Sequence, residues 1–149
     1  MRAALSELRS GNAEIGDDVT TFWLRGPLRI SPDEPASFMA RFVRRELPLR
    51  ADVMNAVDDM MLEPPGKNWR GAPRDVSVTW DPARTRVFGK TGSMDDLPEG
   101  NVRWFVGHVT ANGRAYVFVS MVVGHAPLDL EAVTRAMTGL RDAHLVAPR

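Results

Sequence analysis

"NVRWFVGHVTANGRAYVFVSMVVG" (101–124) is the stretch on which the fold turns. It holds two runs rich in β-branched and aromatic residues, 101–110 and 114–124, joined by Ala111-Asn112-Gly113. Asn-Gly tolerates positive φ at both turn positions, so the runs are predicted to fold back as a tight hairpin. The second run is apolar on both faces, with Tyr116, Phe118 and Val122 on one and Val117, Val119 and Met121 on the other. Such a strand is expected at the centre of a sheet, covered on both sides.

Outward from the hairpin, "DVSVTW" (75–80) and "TRVFGKTG" (85–92) read as two more strands. A turn at Asp81-Pro82 predicts that they form an extra hairpin. Downstream, Asp129 is placed to cap a closing helix over 130–142, with Leu130, Val133, Met137 and Leu140 as its apolar stripe. Upstream the period changes from two to 3.6. Residues 2–9 read as a short helix stopped by Gly11. Ser31, Pro32 and Glu34 form a capping box before a stripe of Phe38, Met39, Phe42, Val43 and Leu47, which Pro48 ends. "ADVMNAVDDMML" (51–62) reads as another helix, with Val53, Met54, Val57, Met60 and Met61 inward. "EPPGKNWRGAPR" (63–74), with three prolines and two glycines, reads as a loop. Helices, then antiparallel strands, then a helix is an α+β order. The 149 residues fit one domain, helical over about 1–62, with the sheet and closing helix over about 75–149.

Composition excludes more than it selects. The 19 basic and 19 acidic residues cancel, so no global field draws the chain to nucleic acid. Arg44-Arg45 lacks the interleaved aromatics of a nucleic-acid surface. Without cysteine there is neither disulfide nor thiolate metal site, and His108, His125 and His144 lack metal-ligand spacing. Asp58-Asp59 and Asp95-Asp96 read as solvated pairs. "MRAALSELRSGN" has no long apolar run, so no signal peptide and no membrane span are read there. No cofactor is implied.

"FGKTGS" (88–93) carries one of only two lysines, Lys90 and Lys67, in an arginine-rich chain. A phosphate-binding loop fails on spacing, because Arg84 stands where its first glycine must be. It fails on context too, since Pro98, Gly100 and two aspartates follow where a helix should open. What stays open is a solvated lysine in a turn, or a strand on which an ammonium and a hydroxyl hold a carboxylate. In the second case glycine removes a side chain that would block close approach.

Other stretches accompany this tripeptide. Gly11-Asn12, Phe22-Trp23-Leu24, Gly26, Leu28–Pro32 and Glu46-Leu47-Pro48, followed by Lys90-Thr91-Gly92, "NVRWFVGHV" (101–109) and "YVFVSM" (116–121), run in the order of the class D, oxacillinase-type β-lactamases. The chain resembles the C-terminal portion of that penicillin-recognising serine hydrolase family over nearly its whole length. The resemblance implies an incomplete transpeptidase-like fold, an antiparallel sheet flanked by helices. It implies that Lys90, Thr91 and Gly92 line the substrate strand, with Lys90 and Thr91 facing the β-lactam carboxylate, and that substrate-binding Ser93, or Met94, stands at the pocket rim. Trp23 matches a tryptophan that supports a carboxylated lysine, and Asn12 a loop asparagine beside the site. The partners implied are a β-lactam or a peptidoglycan stem peptide, and the location extracytoplasmic.

The departures bear on chemistry. In the family, S-x-x-K supplies the serine nucleophile and the carbamylated lysine base. No S-x-x-K occurs in these 149 residues; the nearest match, Ser6-Glu7-Leu8-Arg9, ends in an arginine that cannot act as a base. Ser10 replaces the tyrosine of Y-G-N, and Ser120-Met121-Val122 matches the letters of S-x-V in the middle of a strand. The arginine expected on the closing helix falls near Asp129-Leu130, with Arg135 a turn and a half beyond. The expectation is therefore a chain inactive alone that binds or supports. In the family, N-terminal strands pair beside the last strand; without them 114–124 is expected to have a long, apolar, unpaired edge, covered by a second copy, a complementing chain or the closing segment.

Overall fold

The computed structural model describes residues 1–65 and 78–148. Along them run α1 (Arg2–Leu8), α2 (Asp33–Val43), α3 (Ala51–Met61), β1 (Leu62–Glu63), β2 (Val78–Thr79), β3 (Thr85–Met94), β4 (Asn101–Ala111), β5 (Arg114–Gly124), α4 (Glu131–Asp142) and β6 (Ala147–Pro148). Lys67 and most of the proline-rich loop lie outside the described residues.

Asn112 and Gly113 take φ of 51° and 74°, and Ala111 pairs with Arg114. This is the two-residue hairpin predicted from Asn-Gly, with both turn positions left-handed as a primed turn requires. β3 joins β4 through ten antiparallel pairs, Thr85 with Ala111 through Met94 with Val102, which completes the order β1-β3-β4-β5.

Register divides the side chains between two cores. Val87, Phe105 and Val109 face α4 and pack with Ala132, Val133, Ala136, Met137 and Leu140. On the other face Val106 and Val117 meet Met39, Phe42, Leu47 and Met54 of the α2–α3 layer. The result is helix, sheet, helix. Each fully buried aliphatic or aromatic side chain contributes about 1.5–3 kcal/mol, so both helical layers are held by their stripes.

Several expectations are corrected. β5 is an edge strand among the described residues, not a central one; its two apolar faces are explained by helices on both sides of the sheet. The turn at Asp81 forms, with Arg84 and Thr85 N–H donating to its carbonyl, but it makes no hairpin. β2 leaves it to pair with β6 instead. α1 ends at Leu8, where Arg9 at φ 51° closes the turn, and not at Gly11. α2 begins at Asp33; Glu34 accepts the Ser31 N–H at 2.7 Å, while the Ser31 hydroxyl donates to that same carboxylate rather than capping. Val53 and Met60 are exposed because α3 presents only the Met54, Val57 and Met61 line to its neighbours. Leu62 and Glu63 belong to β1, with Glu63 buried. Asp129 makes no cap; it sits at φ 35°, and α4 starts two residues later. Asp58 is no solvated residue, since it bonds to His108 and Arg45.

Candidate functional site

β3 is where a substrate strand would be expected. β1 pairs only with Val87 and Phe88, so beyond Gly89 the outer edge of β3 has no strand beside it among the described residues. Alternation then sends neighbouring side chains to opposite faces. Thr91 and Ser93 lie opposite Phe105 and Arg103, on the face toward α4; Lys90 lies opposite Val106, on the face toward α2. Lys90, Thr91 and Ser93 are all exposed. The Lys90 ammonium donates to the Thr91 carbonyl at 2.5 Å.

Two concavities flank this strand. A cleft of about 580 Å³ is lined by Thr91, Gly92, Ser93 and Arg103 on the sheet and by Asp129 and Leu130 ahead of α4. On the other face a groove of about 620 Å³ runs between Trp23, Leu24 and Ile30 and the strand residues Val106, Met121 and Val123. Trp104 borders both. Thr91, Gly92 and Ser93 are thus brought together, Lys90 lines neither concavity, and Trp23 lies across the sheet from the cleft.

Trp23 is 54% exposed, with its ring set edge-on to Phe22 at 5.0 Å. It is no core aromatic. Asn12 lines neither concavity. Its side chain donates to the Pro27 carbonyl at 3.0 Å and accepts the N–H groups of Arg29 at 3.0 Å and Glu14 at 3.2 Å. It holds the loop after α1 to the segment carrying Leu28 and Ile30, the floor of the groove. Gly11 serves the same junction, because an added Cβ would lie 2.6 Å from the Arg29 carbonyl oxygen.

Two residues escape a reading by motif. Arg103 faces Ser93 across the β3–β4 pair and bonds Asp95 at 2.7 Å. Strand parity, counted from the buried Phe105, was the only available signal. His108 is buried, stacks on Phe88 at 4.2 Å and 11°, and meets Asp58 of α3 at 3.0 Å. Its Nδ1 has no hydrogen-bond partner among the described residues. Burial is the largest influence on the ring and lowers its pKa, against the pull of Asp58, with Arg45 and Arg86 adding to the lowering. His108 therefore ties α3 to the sheet in a setting that disfavours its protonated form.

No family model matches the chain. It is similar to the probable β-lactamase YbxI of Bacillus subtilis, 31% identical over 122 residues, which is 82% of this chain and 39% of that protein. It is also similar to β-lactamase OXA-1 of Escherichia coli, 28% identical over 133 residues, 85% of this chain and 41% of that protein. Among solved structures, the class D β-lactamase YbXI from Nostoc matches with a TM-score of 0.73 and 26% identity, covering 94% of this chain and 54% of that one. The class D enzyme FUS-1 (OXA-85) from Fusobacterium nucleatum subsp. polymorphum shares the fold, with a TM-score of 0.76 at 22% identity, covering 97% and 54%. The chain thus spans less than half of these curated relatives and just over half of these solved neighbours, and corresponds to the relatives' C-terminal portion.

Proposed function

From its homology to the class D β-lactamases, whose C-terminal portion it matches and whose fold it shares, we propose that this chain is the substrate-holding half of an acyl-transfer site. The observation that carries this reading is the outer edge of β3, which beyond Gly89 has no strand beside it among the described residues, with Lys90, Thr91 and Ser93 exposed along it and Gly92 between them. A β-lactam or a peptidoglycan stem peptide lies along that edge, with its carboxylate toward the Lys90–Thr91 segment. Lys90 adds a compact ammonium to that edge, on the face opposite the Thr91 and Ser93 side chains.

The chemistry itself needs a serine oxygen to attack the lactam carbonyl and a base to carry its proton to the departing nitrogen. These 149 residues hold no S-x-x-K, so the chain alone binds without forming an acyl-enzyme. The nucleophile would come from a complementing segment seated on the groove beside Trp23. The proposed ligands place this work in the extracytoplasmic space; no described helix is long and apolar enough to cross a membrane.

Incubation with a fluorescent penicillin followed by denaturing electrophoresis is expected to leave the chain unlabelled. Noncovalent binding of the same penicillin, followed by fluorescence anisotropy, is expected to be lost in Lys90→Ala. Covalent labelling of the chain alone would overturn the claim that it does not acylate. Binding indifferent to Lys90→Ala would remove Lys90 from the site, and no binding by the wild-type chain would leave a purely structural domain.

A further inference from the structure

We propose that Arg103 of β4 is the guanidinium that grips the ligand carboxylate in the cleft beside Thr91 and Ser93; this rests on the substrate-strand reading above. The closing helix lacks a candidate. Arg135 is exposed and bonded to Glu131 at 2.8 Å, away from the cleft lining. Arg103 is the only cation among the residues that line the cleft. It arrives there by register: Ser93 and Arg103 are directly paired, on the same face as Thr91 and Phe105. Side chains paired in this way stand about 4.5–5.5 Å apart at Cβ, so hydroxyl and guanidinium share one wall.

The guanidinium is set in place with one arm in use. Nη1 bonds the Asp95 carboxylate at 2.7 Å and donates to the carbonyls of Val102 at 3.0 Å and Met94 at 3.4 Å. The side chain is only 16% exposed. Nη2 and Nε make no hydrogen bond to the described residues, which leaves the side-on edge of the fork for a second carboxylate. Two parallel N–H···O bonds from that edge are the geometry in which arginine recognises a carboxylate best. Asp129 across the cleft repels an anion and sharpens the need for a cation there. Lys90, whose side chain leaves β3 on the opposite face, does not supply it from within the cleft.

The test titrates the whole chain with a penicillin bearing a free carboxylate and with its methyl ester, following amide shifts of residues 91–93 and 103. Wild-type chain is expected to prefer the free acid. Arg103→Lys keeps the charge facing Asp95 but not the fork, and Arg103→Gln keeps only neutral donors. Both are expected to weaken acid binding about tenfold or more, as loss of a charge-assisted hydrogen bond does, and to erase the preference over the ester. Thermal unfolding of each variant separates this from loss of fold, and the lysine variant retains an ion pair to Asp95. If Lys90→Ala abolishes binding while both Arg103 variants bind as wild type does, Arg103 has no such role and the substrate-strand reading stands. If the wild-type chain binds neither compound, both fall.

Discussion

Gly89, Gly92 and Gly107 share one patch of β3 and β4, yet a methyl group added to each meets a different neighbourhood. At Gly107 it would lie 1.9 Å from the Phe88 carbonyl oxygen and 2.7 Å from Phe118. At Gly89 it would lie 2.4 Å from the Phe105 ring, which is wholly buried. At Gly92 it touches only the Trp104 side chain, at an ordinary 3.5 Å. Packing inside the chain therefore requires glycine at 89 and 107 but not at 92. Gly107→Ala and Gly89→Ala are expected to destabilise by about 1–3 kcal/mol or more, the usual cost of overpacking, read as a fall in urea midpoint. Gly92→Ala is expected to leave stability within about 0.5 kcal/mol while weakening penicillin binding. A large stability loss at Gly92 would make it a packing glycine and remove it from the proposed site. The Lys-Thr-Gly tripeptide was legible in the sequence because three adjacent residue types carry it. Arg103 was not, because its place beside Ser93 depends on a register that only the paired strands define.

Between elements, the His108–Asp58 contact ties α3 to β4 across the sheet face. Phe88 stacks on the imidazole, Arg86 lies over the other ring at 4.9 Å, and Arg45 bonds the same carboxylate at 2.8 Å. The folded ring binds a proton less readily than the unfolded one, whose pKa lies near 6.5. This contribution to stability is therefore complete above about pH 6.5 and is lost as pH falls below it. Urea midpoints are expected to drop between pH 7.5 and pH 5.5. His108→Gln, which still donates to Asp58 but does not titrate, is expected to flatten that drop. An unchanged slope in the variant would place the titration elsewhere. Element by element, the hairpin, the long strands and the amphipathic helices were legible within a few residues, since turn chemistry and apolar period are local. The pairing of β2 with β6 was not, and the edge position of β5 followed from the family resemblance and not from its apolar pattern. Both depend on partners distant in sequence, and an apolar strand between two helical layers has the same pattern at an edge as at a centre.

At the scale of the whole molecule, the β5 edge and the Trp23 groove open on the same side of the sheet. Trp23, Leu24, Ile30, Met121 and Val123 are all exposed there, between 37% and 54%. An exposed apolar surface of this kind, beside an unpaired strand, is uncommon on a chain that stays monomeric and soluble. Solved neighbours of the same fold extend to nearly twice this length, which is why a complementing segment is the proposed occupant. In its absence the surface is expected to pair with itself. Sedimentation is then expected to show association that grows with concentration, and amide exchange along 114–124 is expected to slow in step with it. Met121→Lys with Val123→Glu places opposite charges on two exposed positions of one strand face without touching either core. It is expected to abolish association and leave the unfolding midpoint near that of the parent chain. A parent chain that remains monomeric at high concentration, with fast-exchanging amides throughout β5, would mean that this edge needs no cover. The groove would then be a ligand surface and not a docking seat.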